Sequence, residues 1–213
     1  MGVPPRRYES PVRADRAAEN RQRLIATATD LFLRQGWTET TMSQVAAEAG
    51  LARPTLYLHF DTKLALLLTC IDAALSDIPV RERDDYQAMG AGPVPHRAAV
   101  AARWLRAAYE RSASIQRILD DAAVGTPDAA AALAGMERRR HDEFAHACTL
   151  VLGNQASSTD SIVDEVWALG SRAMWFKLAE RGWPPQRWEA WFARVLLDAI
   201  HTHRRDRPKR THN

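Results

Sequence analysis

The chain of 213 residues has only two cysteines, Cys70 and Cys148. Two isolated thiols build no disulfide framework and show no metal-ligand spacing. Both sit among apolar neighbours, so they read as reduced core residues or, alternatively, as a redox-sensing pair. Long apolar runs are missing as well. No window reaches the ~18 uncharged apolar residues of a membrane span. The first ten residues, MGVPPRRYES, lack the apolar segment of a secretion signal, so a cytoplasmic protein is expected, with no membrane partner. Strict apolar/polar alternation is absent too, which excludes strands as a main component. There is no glycine-rich phosphate loop, no G-x-S-x-G and no H-E-x-x-H, so neither an enzyme nor a cofactor is expected. Asp142 and His146 share a helical face, but His141 points elsewhere within ERRRHDE. That stretch reads as a solvated charged face, and no metal site is expected.

Charge of one sign is scarce overall, with a formal net charge of +3. It is unevenly placed. Residues 1–23 carry six arginines against three acids, and residues 201–213 carry five basic residues against one acid. Basic ends on a mildly acidic body are either arms that touch a polyanion or solubilising termini.

What is present is helical period. Leu24, Ala28 and Leu31 fall at i, i+4, i+7 in a helix expected over 17–35, with Gly36 as its C-terminal stop. Leu64, Leu68, Ile71, Leu75 and Ile78 repeat along a helix that starts near Asp61 and ends at Pro79. Residues 79–95 hold three prolines, two glycines and RERDD, the clearest break in the chain. Further helices are expected over 96–111, 114–124, 127–152, 159–181 and 185–202. The fold class is therefore all-α: an N-terminal three-helix domain linked by a long helix to a larger C-terminal helical domain. The expected divisions are a flexible Arg-rich arm 1–17, the N-terminal domain 18–78 with two short helices over 41–60, the larger helical domain 79–202, and a basic tail 203–213.

Between the first and fourth helices lies TTMSQVAAEAGLARPTLYLHFDTK, residues 40–63. Thr41 and Gln44 have capping-box spacing, so a short helix starts there with Met42, Val45, Ala46 and Ala49 on one face. Gly50 suits a left-handed turn, and Pro54 suits the first position of the next helix, with Arg53 before it in extended geometry. Leu56 and Phe60 point inward. Ser43, Gln44, Arg53, Thr55, Tyr57, Leu58 and His59 are left pointing away from the shared core. Two short crossed helices joined by a glycine turn form a helix-turn-helix, which presents its second helix to the DNA major groove.

Together with RLIATATDLFLRQGW just before it, this stretch resembles the N-terminal domain of the TetR family of bacterial transcriptional regulators. The likeness covers about residues 18–78, and PTLYLHFDTKLALL is especially close to tetracycline repressors. It implies a regulator, most often a repressor, that binds palindromic operator DNA as a homodimer and is released by a small molecule. It places Arg53, Pro54, Thr55 and Leu58 at base edges. Ser43 stands where some members carry a guanine-reading arginine, and serine offers only a hydroxyl there. Thr41, Gln44, Tyr57, His59 and Lys63 are placed at phosphates. An arginine at 53 can pair bidentately with guanine, and Thr55 and Leu58 can touch a thymine methyl. Arg6, Arg7, Arg13 and Arg16 are either a minor-groove arm or plain chain.

Beyond the likeness, two apolar rows in 159–181 and one in 185–202 are more than one buried face needs. A dimer bundle is expected from Ile162, Val166, Leu169, Ala173, Trp188, Phe192, Val195 and Ala199. Trp104, Tyr109, Phe144, Trp167, Met174 and Trp175 read either as core anchors or as the lining of a pocket for a largely apolar effector. A helical enzyme and a protein-partner adaptor are the competing functions.

Overall fold

The computed structural model describes residues 11–75, 80–153 and 160–205, and among these no strand occurs. The helices are α1 (Pro11–Glu39), α2 (Met42–Glu48), α3 (Arg53–His59), α4 (Lys63–Leu75), α5 (Asp84–Gln87), α6 (Val94–Gly125), α7 (Pro127–Leu152), α8 (Asp160–Leu169), α9 (Arg172–Glu180) and α10 (Pro185–Arg205). Short 3-10 turns at Val80–Glu82 and Ala88–Gly90 flank α5. The chain divides into two compact units. One comprises residues 1–74 and 115–129, the other 75–114 and 130–213.

The first unit is built on α1. Leu24, Ala28, Leu31 and Phe32 are fully buried along it, as the heptad-like spacing requires. Val45 and Ala46 of α2, Leu56 of α3, and Leu66, Leu67 and Ile71 of α4 are buried in the same unit. At Gly36 the backbone enters the left-handed region (φ 78°), which breaks α1 before its last turn. The helix begins at Pro11, so residues 11–17 are helical where a flexible arm was expected. Arg6, Arg7 and the tail 206–213 lie outside the described residues, as do Ile78 and Pro79. The first unit also takes in Ile115, Ile118, Leu119 and Ala122 of α6, all buried, so neither unit is one continuous stretch. Periodicity announces a helix but not its partners, and the division expected at residue 79 is corrected on that ground.

In the second unit Tyr86, Met89, Ala102, Leu105, Tyr109, Val163, Val166, Trp188, Phe192 and Ile200 belong to one apolar core. Three sequence expectations change here. Residues 80–92 are ordered turns, because Tyr86 and Met89, three apart, are both anchored in the core. Arg83 braces them by a two-bond pair with Asp85, at 3.0 and 2.7 Å. The two helices expected over 96–124 are one, α6. Ser112, a plausible break, instead bonds the Ala108 carbonyl at 2.7 Å and stays helical.

Conversely, the single helix expected over 159–181 is two, α8 and α9, parted at Gly170. Ser171 caps α9 by accepting from the Met174 amide. A Cβ on Gly170 would stand 2.8 Å from the Phe192 ring, 2.8 Å from the Val166 carbonyl and 2.9 Å from the Phe144 ring. The close approach of this glycine is thus to its own chain. Gly170→Ala is expected to destabilise the protein by about 1–3 kcal/mol through overpacking, since a backbone carbonyl cannot step aside as a side chain can. Urea unfolding of the variant against the parent measures it.

Candidate nucleic-acid interface

Seven residues are too few for a stable free helix, so α2 and α3 must be held at their ends and by burial. Thr41 is the N-cap of α2 in extended geometry (φ −119°, ψ 150°). Its Oγ1 accepts from the Gln44 amide at 3.2 Å, and its own amide donates to Gln44 Oε1 at 3.0 Å. The capping box expected from the spacing is therefore closed. At the other end Leu51 N donates to Ala46 O at 2.9 Å around Gly50 (φ 65°), the wrap that ends a helix at a left-handed glycine.

For α3 the N-cap is Ala52, one residue earlier than the sequence suggested. Thr55 N and Leu56 N both donate to Ala52 O, so Arg53 is already helical and Pro54 follows it. Proline still occupies a position whose N–H would have had no partner within the helix. Leu56 is 0% exposed and Phe60 nearly buried, with the Arg21 guanidinium 5.4 Å from the Phe60 ring. These two inward residues decide what faces outward. Arg53 and Pro54 are exposed, Tyr57 is 43% exposed and Leu58 84% exposed. Thr55 and His59 are half-buried beside them, and Thr41, Ser43 and Gln44 of the α2 segment are exposed.

Arg34 ties α1 to α2 through Asp30 at 2.8 Å and Glu48 at 2.9 Å. Its guanidinium is held above its ordinary pKa, first by the Asp30 hydrogen bond. Lys63 differs from the other residues that the resemblance gives to phosphates. It is half-buried, and its ammonium donates to the carbonyls of Trp37 and Thr40. Burial moves its pKa down. Asp61 does not cap α4; Thr62 does, accepting from the Ala65 amide at 3.0 Å.

In the second unit the candidate effector residues do not form one lining. Tyr109 packs on Trp175 and Trp188, with ring centroids 5.6 and 5.8 Å away. The Arg140 guanidinium lies over Phe144 and Trp167, at 4.7 and 5.8 Å. Trp104 stands edge-on to Tyr86 at 5.2 Å, and Met174 is half-buried near the start of α9. Arg140, which sequence reasoning passed over, joins the first two groups. It donates to Tyr109 Oη at 3.0 Å and to Gly170 O at 2.7 Å, and Tyr109 donates to the same carbonyl. No sequence signal marks it, because its partners lie some thirty residues away on other helices.

The residues that the sequence offers to a second copy are also divided. Ile162, Val166, Trp188, Phe192 and Ala199 are buried within the chain itself. Side chains with almost no exposed surface in one copy are core, and that expectation is corrected. Leu169 and Val195 are half-buried and Ala173 is exposed. Cys70 and Cys148 are both buried and belong to different units. Burial pushes their thiols up to about 11 and about 12, which suits inert core residues. His141 lies 2.9 Å from Asp164, and His146 stacks on Tyr86. Among the described residues no helix is long and apolar enough to cross a membrane.

Two short helices packed on α1 and on each other, the second showing Arg53, Pro54, Tyr57 and Leu58 to solvent, define a helix-turn-helix domain. Residues 24–70 match the family model described as bacterial regulatory proteins, tetR family. The chain is 43% identical over 54 residues to the HTH-type transcriptional regulator SrpR of Pseudomonas putida, covering 25% of each. It is 34% identical over 58 residues to the HTH-type transcriptional repressor BepR of Brucella suis, covering 27% of this chain and 28% of that one. The curated relatives are thus matched over only about a quarter of their length. A TetR-like transcriptional regulator from Rhodococcus sp. RHA1 shares the fold along 86% of this chain and 97% of its own, at TM-score 0.58 and 17% identity. Residues 24–70 thus form a TetR-family N-terminal domain, and over the rest of the chain the likeness is one of fold alone.

Because the cap of α2 rests on one hydroxyl and one amide, Thr41→Ala is expected to cost about 0.5–2 kcal/mol, while Thr41→Ser keeps most of the stability. Chemical denaturation of the three proteins separates the two outcomes.

Proposed function

We propose that the protein is a transcriptional repressor that binds palindromic operator DNA as a homodimer and is released by a small, largely apolar effector. The outward array on α3 carries this reading. Arg53, Pro54, Tyr57 and Leu58 stand exposed together on one seven-residue helix after the glycine turn, a joint cationic, aromatic and apolar set. In a major groove each finds a partner: Arg53 on guanine O6 and N7, Leu58 on a thymine methyl, Tyr57 on a phosphate. Pro54, Thr55 and Ser43 fill out the base-facing set, with Thr41, Gln44 and His59 toward the backbone. One such unit reads few base pairs, so two copies at symmetry-related half-sites are needed. Leu169, Ala173 and Val195 remain open to a second copy. The name of the relative BepR agrees with repression, and that of the activator FasR with the opposite sign. For the effector, the candidates are the ring groups of the second unit, Tyr109 with Trp175, Phe144 with Trp167, and Trp104, together with Met174.

The test starts from duplexes selected from random DNA by the purified chain. Arg53→Ala is expected to relax preference at one base pair, a loss of about 1–3 kcal/mol there, with little change on random DNA. Equal loss on selected and random duplexes would remove its base-reading role. Replacing a contacted thymine by uracil deletes only a methyl group and is expected to weaken binding by about fourfold, from ~0.8 kcal/mol of apolar burial. That penalty should vanish in Leu58→Ala. A chain that ignores every duplex at low salt would leave the adaptor reading in possession.

A further inference from the structure

Arg140 of α7 places a guanidinium inside the second unit, with its side chain only 12% exposed. Its Nη2 donates to Tyr109 Oη at 3.0 Å, to Trp167 O at 3.3 Å and to Gly170 O at 2.7 Å. Among the described residues its one carboxylate partner is Glu137, 3.3 Å from Nη1. That carboxylate lies closer to Arg172, at 2.8 Å. One acid therefore serves two guanidiniums here, and the charge of Arg140 is met mainly by carbonyl and phenol dipoles. The third edge of the fork has no acceptor: Arg140 Nε is buried and makes no hydrogen bond. The indole Nε1 of Trp167 is in the same condition, and its ring centre is 5.8 Å from the guanidinium carbon. Trp188, whose ring packs on Tyr109, carries another such N–H. These atoms are all donors, and a buried donor left without an acceptor is costly, most of all on a charged group. Solvent does not reach them. The acceptor that satisfies them has to arrive with a molecule that parts the rings around them.

We infer that the small-molecule effector is an aromatic carboxylate whose acid group is taken by Arg140 through Nε, with the Trp167 indole N–H beside it. A carboxylate brings two acceptor oxygens and the negative charge that a shared Glu137 only half supplies. The planar fork of an arginine suits it in shape as well as in charge. The aromatic body follows from the neighbours of that guanidinium. The Phe144 ring lies 4.7 Å from it, Trp167 flanks it, and Tyr109 bonds to it, so the groups next to the acid are flat faces. This rests on the effector reading above and narrows it from apolar compounds at large to acids.

The experiment is calorimetric titration of the full chain with benzoate, naphthoate and anthracene carboxylate, each beside its neutral primary amide. At least one acid is expected to bind about tenfold or more tightly than its amide, the size of one charge-assisted hydrogen bond. In Arg140→Met that acid falls to the level of its amide, while the amide changes little. Trp167→Phe keeps a ring and drops the N–H, and is expected to weaken the acid about fivefold. Amides that bind as well as the acids, or acid affinity unchanged in either variant, overturn the inference and leave the effector reading standing. Should circular dichroism show Arg140→Met unfolded, Trp167→Phe and the comparison of acid with amide decide it. Binding by none of the acids also overturns the inference, and Nile red, a neutral dye that brightens in apolar sites, then separates the two readings. A dye response leaves an apolar effector site in place, and no response removes the effector reading as well.

Discussion

A recognition helix of one and a half to two turns cannot exist by itself in water, because nucleation costs more than so few backbone hydrogen bonds return. Everything proposed for α3 depends on how that deficit is met, and the main term is burial of Leu56, with Phe60 closing behind it. Burying a leucine is worth about 1.5–3 kcal/mol, enough to decide the state of seven residues. It also fixes rotation about the helix axis. With Leu56 inward, Tyr57 and Leu58 have only the outside left. The same platform serves α2, where Val45 and Ala46 are buried and a closed capping box replaces the missing first-turn partners.

The second unit meets a different constraint at the break between α8 and α9. A chain that leaves a helix exposes carbonyls that need donors, and in an apolar core few donors are near. Here the Gly170 carbonyl receives both the Arg140 guanidinium and the Tyr109 hydroxyl, and Arg140 reaches the Trp167 carbonyl as well. Arg140 in turn has Glu137 at 3.3 Å, which Arg172 also approaches at 2.8 Å. Burial raises the Tyr109 pKa, so the phenol remains a donor. Aromatic rings surround this polar knot because flat faces accommodate a guanidinium and still exclude water. The break in the helix and the cluster of rings are one arrangement.

The N-terminal helices were legible because their instructions are local. Thr41 with Gln44, Gly50 after a short stripe, and Pro54 early in α3 each act within four residues, and each is found within a residue of its expected place. The small errors have the same source. Whether Ala52 or Arg53 caps α3, and whether Asp61 or Thr62 caps α4, turns on a few degrees of backbone that residue type alone does not set. Beyond residue 79 the signals weaken. Proline and glycine suggested a linker where Tyr86 and Met89 hold ordered turns, and apolar rows suggested a dimer face where Trp188 and Phe192 serve the chain's own core.

By itself the sequence determined that the chain is helical, where its first helices start and stop, and that α2 and α3 form a glycine-turned pair. Those outcomes follow from capping, periodicity and fixed dihedrals, which act between neighbours along the chain. Only the tertiary structure decided which lysine donors stay available, which tryptophans are core, and where α8 must end. These depend on carbonyls and rings brought together from distant positions, as Trp37 and Thr40 are at Lys63 and Gly170 is at Arg140. A hydrogen bond or a buried ring needs its partner in space, and spacing along one chain does not say which distant residue will be there.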